Sequence, residues 1–290
     1  MFMAGIVSFG RMGLRTGWPA IPQRSMSSPS GLIEGPNTLT LSQGQKIHYE
    51  ARGQGSKAAL LMPGALGTAS SDFAPQLQHF SGHPQLRVIA WDPPGYGASR
   101  PPARTWPLDF FDRDAKLAID LMDQLGFDQF SVLGWSDGGI TGMVMAAEYT
   151  EQIEKLVVWG ANAFISAQDV QHITNVSDVS QWSERMRRPM EETYGVDYFP
   201  IIWKEWCQAY RAVFEKNQGE ICRQRLAQIQ CPTLIVHGDK DAMLDTIHPD
   251  ILQREIPNAR LERFPDGKHN LHFKYQKEFN QMTEEFLSAN

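Results

Sequence analysis

The chain has 290 residues, of which 42% are hydrophobic and 21% charged. That is enough apolar material to bury a large core, which excludes disorder for most of the length. A net charge of −6, from 27 Lys+Arg against 33 Asp+Glu, argues against a nucleic-acid binder, which shows a basic face. No apolar run approaches the roughly 18–20 residues a membrane-spanning helix needs.

Residues 1–33 contain Arg11, Arg15 and Arg24, a cluster of serines (Ser25, Ser27, Ser28, Ser30) and no carboxylate before Glu34. This Arg-rich, Ser-rich, acid-free composition is expected of a mitochondrial transit peptide, with an unaddressed N-terminal tail as the alternative. The segments 38–41 and 46–51, joined through Gly44, read as a hairpin opening a sheet. Short apolar runs follow at Ala58–Met62, Arg87–Trp91, Phe130–Leu133, Leu156–Trp159, Thr233–Val236 and Arg260–Phe264. Most of these runs are apolar on both faces, as strands of a helix-covered parallel sheet should be.

A helix is expected from Asp114 onward, where Ala118, Leu121, Met122 and Leu125 recur at helical spacing, with Asp109 as a candidate cap and Gly126 just past the end. Strands alternating with such helices predict an α/β fold with a mostly parallel, twisted sheet. The alternation breaks once. Residues 162–230 carry no strand-like run but many aromatics, among them Trp182, Tyr194, Trp203, Trp206 and Tyr210. They read as a helical cap inserted after the sixth strand, dividing a core of residues 34–161 and 231–290. The three cysteines, Cys207, Cys222 and Cys231, form no C-x-x-C pair. That argues against a disulfide scaffold or a zinc site and suits a reducing compartment; no metal or cofactor is expected.

The chemistry concentrates in Gly134-Trp135-Ser136-Asp137-Gly138, a G-x-S-x-G pattern between a predicted strand and the helical run 139–149. A sharp strand-to-helix turn strains the serine and exposes its hydroxyl above the sheet. A serine hydroxyl is a weak nucleophile and needs a base oriented by an acid. Asp241, in the loop after Thr233–Val236, is the candidate acid, with Asp239 competing. His269, in the loop after Arg260–Phe264, is the candidate base, with His237 and His272 competing. His272 is expected in the following helix, as a packed or solvated histidine. An oxyanion needs two donors: the Asp137 N–H beside the serine, and one from the loop Pro63-Gly64-Ala65-Leu66-Gly67, where Ala65 N–H is the candidate. Met243, two residues after Asp241, is expected among the substrate-binding residues.

The set Pro63-Gly64, Trp91–Ser99, Gly134–Gly139, Gly238–Asp241 and Gly267–Asn270 resembles the α/β-hydrolase superfamily over roughly residues 38–287. Within it, the strings Leu133–Thr141, Trp159–Ala163 and Gly267–His272 are similar to serine hydrolases of α-amino-acid esters. The resemblance implies a serine hydrolase acting through an acyl-enzyme. Two departures stand out: Pro63-Gly64 replaces a usual His-Gly, and Ala242–Asp245, after the acid, lacks an expected proline.

Asp137 bears on the substrate. A carboxylate beside a developing oxyanion is unfavourable unless the substrate brings a positive charge. The α-ammonium of an amino-acid ester lies two bonds from its carbonyl carbon, within reach of such a carboxylate; the resemblance implies this ammonium-binding role. The bland alternative is that Asp137 caps its own helix. The expected partner is a small-molecule ester, met by a monomer. Competing functions are a carbon–carbon hydrolase of vinylogous diketones, disfavoured because its acidic substrates would be repelled, and a silent small-molecule receptor, which has no need of all three triad residues. Dehalogenases and epoxide hydrolases of this fold need a carboxylate where Ser136 stands.

Overall fold

The computed structural model describes residues 32–289. The segment read as a transit peptide, save its last two residues, lies outside the described residues.

Eight strands form one sheet: β1 (Gly35–Thr40), β2 (Lys46–Arg52), β3 (Lys57–Met62), β4 (Leu86–Trp91), β5 (Phe130–Trp135), β6 (Ile153–Trp159), β7 (Thr233–Gly238) and β8 (Ala259–Phe264). Their spatial order is β1-β2-β4-β3-β5-β6-β7-β8. β2 is antiparallel to β1 and β4, and every other pairing is parallel. The β1 edge alternates half-buried and exposed residues, whereas β3 to β7 are buried along most of their length.

The period-2 geometry of the strands divides the core in two. Leu60, Ile89, Val132 and Val158 pack on one face with Phe111, Ala115, Met122, Met143 and Leu252. Leu61, Ala90, Leu133 and Val157, one residue along, pack on the other with Phe73, Leu77, Phe279 and Leu287. The first face is covered by α2 (Phe110–Gln124), α3 (Asp137–Glu148) and α7 (His248–Glu255); the second by α1 (Ala69–His79) and α9 (Gln276–Ser288). A short α8 (Leu271–Lys274) precedes α9.

Two local expectations need correction. α2 begins at Phe110, directly after Asp109. Asp109 holds its N-cap position, but the side chain makes no capping bond, because the backbone there (φ −99°, ψ 28°) is not extended. His237 lies inside β7 rather than in the loop after it, since the ladder to β8 runs on through Gly238. Gly126 does follow α2 with a positive φ of 83°.

Between β6 and β7 the chain forms α4 (Ala167–Asn175), α5 (Glu184–Tyr194) and α6 (Tyr198–Asn217). The ends of this excursion meet: Phe164 and Glu220 form an isolated antiparallel bridge, and the Ile165 N–H donates to the Gly219 carbonyl at 2.7 Å. Phe199, Trp203, Trp206 and Tyr210 on α6 are buried, and the Trp203 and Trp206 rings stack 4.8 Å apart.

Ser136, between β5 and α3, adopts φ 53°, ψ −122°, a region a side chain enters only under constraint. The crowding around it is severe. A β-carbon on Gly134 would lie 2.3 Å from the Gly138 carbonyl oxygen, and one on Gly138 2.0 Å from the Met62 carbonyl oxygen. Backbone cannot swing aside as a side chain can, so α3 starts this close to β3 only with glycine there. Gly138→Ala should therefore lose roughly 1–3 kcal/mol of stability from overpacking, read as a lower Tm, and turnover should fall with it. An unchanged Tm would mean the turn relaxes more freely than its contacts imply.

Candidate active site

The carboxyl ends of the parallel strands deliver the site. β5 leads into Ser136, β7 leads into the loop holding Asp241, and β8 leads into the loop holding His269. His269 Nδ1 lies 2.8 Å from Asp241 Oδ2, and His269 Nε2 lies 3.1 Å from Ser136 Oγ. Because an ionised carboxylate only accepts, Nδ1 carries the proton and donates to Asp241, leaving Nε2 to accept the Ser136 hydroxyl. Such an imidazole can take the hydroxyl proton as the oxygen attacks.

The supports are identifiable. Trp135 Nε1 donates to the His269 carbonyl at 2.9 Å, holding the base loop against the elbow. Gly160, with φ 56°, leaves room for the imidazole: a β-carbon there would come 3.1 Å from its Cε1 and Nδ1. Asp241 Oδ1 accepts the Met243 N–H at 2.8 Å. Burial pushes the Asp241 carboxyl up, but the His269 charge and hydrogen bond outweigh it and hold it below the usual range. Burial pushes the His269 imidazolium down, and Asp241 more than compensates, so His269 sits above its ordinary value.

The competing residues are engaged elsewhere. Asp239 is partly exposed and pairs with Arg263 at 2.8 Å. Burial lowers His237, which lies in the strand. His272 is wholly buried on the second face of the sheet. Its Nδ1 accepts from Trp159 Nε1 at 2.9 Å and its Nε2 donates to the Asp72 carbonyl at 3.1 Å.

Among the described residues, no hydrogen bond uses the Ala65 or Asp137 N–H. The loop that presents Ala65 is fixed by neighbours invisible in the motif. The Gly64 N–H donates to Asp72 Oδ2 at 3.0 Å, and Tyr194 Oη, from α5, donates to the Leu66 carbonyl at 2.7 Å. Leu66 itself has φ 59°. Met243 is half-buried and packs against the core beside the site.

Asp137 does not cap its helix. Its Oδ2 accepts from Trp206 Nε1, on α6, at 2.7 Å, while no described residue donates to Oδ1. Burial pushes its carboxyl up to about 6, against the pull of Trp206 and the Arg104 charge. Asp137 shares a small cavity with Tyr96, Arg104, Asp114 and Thr141. Arg104, 6% exposed, pairs with Asp114 and lies 4.3 Å over the Tyr96 ring. Sequence reasoning missed Trp206, Arg104 and Asp72 as site residues. The aromatic density of the insertion was the available signal for the first, and no local pattern marks the other two. Among the described residues no group of three or more His, Cys, Asp or Glu side chains could hold a metal.

His272 yields a prediction. Burial lowers it to about 3, from an ordinary 6.5. The unfolded chain therefore takes up a proton below pH 6.5 that the native chain refuses, so stability falls as pH drops from about 6.5 toward 3. In denaturant melts, wild type should lose stability over this window more steeply, by about one proton, than His272→Asn. Parallel curves would show that His272 titrates in the folded state.

Residues 59–282 match the Alpha/beta hydrolase family. The chain is 47% identical over 244 residues, 84% of each chain, to "Serine hydrolase BPHL" of Homo sapiens, and 48% identical over the same span to that of Mus musculus. It is 24% identical over 271 residues, 86% of this chain and 95% of the relative, to "3-oxoadipate enol-lactonase 2" of Acinetobacter baylyi. Among solved structures, a meta-cleavage product hydrolase from Pseudomonas fluorescens IP01 superposes with a TM-score of 0.71 at 20% identity, covering 86% of this chain and 96% of that one. That likeness carries the fold. With the family match and the close relatives beside it, the chain belongs to the alpha/beta hydrolase family and is a serine hydrolase.

Proposed function

We propose that this hydrolase cleaves α-amino-acid esters through an acyl-enzyme on Ser136. His269 takes the hydroxyl proton as Ser136 attacks the carbonyl, then returns it to the leaving alcohol. Asp241 holds the imidazole in the productive tautomer and stabilises its charged form. The N–H groups of Asp137 and Ala65 receive the oxyanion, and water activated by His269 releases the amino acid.

The observation that carries the substrate class is the buried carboxylate of Asp137 beside Ser136, with Oδ2 held by Trp206 and Oδ1 engaged by no described residue. A buried anion needs a partner. The ammonium of an amino-acid ester supplies one in the position its carbonyl chemistry requires. The carbon–carbon hydrolase reading gains nothing from this charge, because its anionic substrates would meet a like charge at the nucleophile.

The triad assignment is tested by substitution. Ser136→Ala should abolish turnover, and His269→Ala and Asp241→Ala should each lower kcat by about three to four orders of magnitude. A damaging Asp239→Ala with a nearly silent Asp241→Ala would move the acid to the other loop position.

The substrate class is tested at Asp137. Asp137→Asn should lower kcat/KM for α-amino esters by roughly 1.5–3 kcal/mol, one to two decades, as a charge-assisted hydrogen bond is lost. Matched esters with an α-hydrogen should lose little or gain, because the negative charge opposing their oxyanion is gone. In wild type, the ratio of kcat/KM for amino over α-hydrogen ester should fall as pH drops through about 6, where Asp137 takes up a proton. Taking the ratio cancels the titration of His269. In Asp137→Asn this acid-side fall should be absent. Equal losses on both esters would make Asp137 a structural residue and remove the basis for the amino-acid ester.

A further inference from the structure

Asp169, at the start of the inserted helices, is 0% exposed. Its Oδ1 accepts the Asp245 N–H at 2.7 Å. Its Oδ2 accepts the Ser166 N–H at 2.7 Å and lies 2.7 Å from His248 Nε2. Ser166 Oγ in turn donates to Asp245 Oδ2 at 2.9 Å. These residues come from three places. Ser166 and Asp169 open α4, Asp245 ends the loop that carries Asp241 and Met243, and His248 begins α7.

Capping α4 accounts for only part of this. Ser166 and Asp169 form a reciprocal capping box, which occupies one carboxylate oxygen. The other oxygen reaches across 76 positions of sequence to Asp245. A fully buried carboxylate is costly unless its acceptor sites are filled. Any displacement of α4 relative to the Asp241–Asp245 loop would strip Asp169 of the Asp245 donor and break the Ser166–Asp245 bond with it. The junction therefore favours one relative position of the insertion and this loop.

That loop is the one whose sequence lacks the expected proline. A proline would stiffen it by restricting its own backbone. Here it is held at both ends by tertiary contacts instead, at Asp241 by His269 and at Asp245 by Asp169, while the Met243 N–H bonds back to Asp241 within the loop.

We propose that Asp169 is a positioning residue, which fixes the orientation of Asp241 through Asp245 and so couples the acid of the site to the seating of the inserted helices. The inference rests on the reading of Asp241 as the acid. Asp169 itself touches no reacting atom.

The test is a double-mutant cycle on kcat for an α-amino ester, measured well below each variant's Tm. Asp169→Ala should lower kcat by about tenfold or more, the scale expected when a catalytic group is displaced by a fraction of an ångström to an ångström. In an Asp241→Ala background the same substitution should cost no more than about twofold, because the group it positions is gone. A loss retained in full in that background would overturn the inference while leaving the acid assignment intact. A silent Asp241→Ala would overturn the acid assignment and this inference together. If Asp169→Ala does not fold, Asp245→Ala decides. It removes the Ser166 tie but keeps the backbone N–H to Asp169, so it should lower kcat several-fold, again only while Asp241 is present. No effect on kcat from Asp245→Ala would overturn the proposal.

Discussion

The close approach of three backbones around Ser136 sets the geometry on which the site depends. β5 must end, α3 must begin, and β3 must pass beside both within distances that leave no room for a β-carbon at Gly134 or Gly138. The chain meets this by placing glycine on either side and by holding Ser136 at φ 53°. Because the turn sits at the carboxyl end of a central strand, the loops after the adjacent β3 and after β7 and β8, two and three positions away, reach it from the same edge of the sheet. The parallel order thus brings Ala65, Asp241 and His269 to one edge, although they are spread over some two hundred residues of sequence.

The electrostatics of the site follow from burial more than from charge count. Asp241 and Asp137 are both 8% exposed, yet their carboxyls move in opposite directions. Asp241 has a direct cationic partner in protonated His269 and an additional backbone donor, so its charged form is favoured. Asp137 has one neutral indole donor, and the Arg104 charge that would help it is shared with Asp114. Two carboxylates of equal exposure are therefore driven toward opposite charge states by their surroundings. The indole comes from α6, which makes the inserted helices part of the charge balance beside Ser136.

What the sequence made legible was local or ordered along the chain. The turn motif, the succession Ser136, Asp241, His269, and the doubly apolar strands each leave a signature within a few residues. Strand-like runs also stop after residue 159 and resume at 233, and α4, α5 and α6 lie in that interval. What stayed hidden depends on contacts between distant segments. Nothing near Asp72 in sequence indicates that it holds the Gly64 N–H, or that its carbonyl accepts from His272, 200 positions away. Trp206 is one of several aromatics on α6, and only packing shows that its N–H reaches Asp137. α1 carries Pro75 in its middle, a residue that ordinarily marks a helix boundary. The Asp109 cap failed for a related reason: residue type permits a cap, but backbone conformation decides whether the side chain can reach.

A carboxylate next to a developing oxyanion opposes its formation. At about 4 Å and an effective dielectric near 20, two like charges repel by about 4 kcal/mol, comparable to what an oxyanion-hole donor contributes. On the proposed reading this penalty is the source of discrimination. An ester without a positive charge meets the full repulsion as its oxyanion develops. An amino-acid ester neutralises Asp137 before that charge appears, so the two N–H donors act on a carbonyl no longer opposed by a nearby anion. Selectivity then comes partly from attraction to the ammonium and partly from an obstacle to everything that lacks one. Burial strengthens both effects, since water would otherwise screen the carboxylate from oxyanion and ammonium alike. The cost is a carboxyl that sits near 6, close enough to neutrality that discrimination weakens on the acid side.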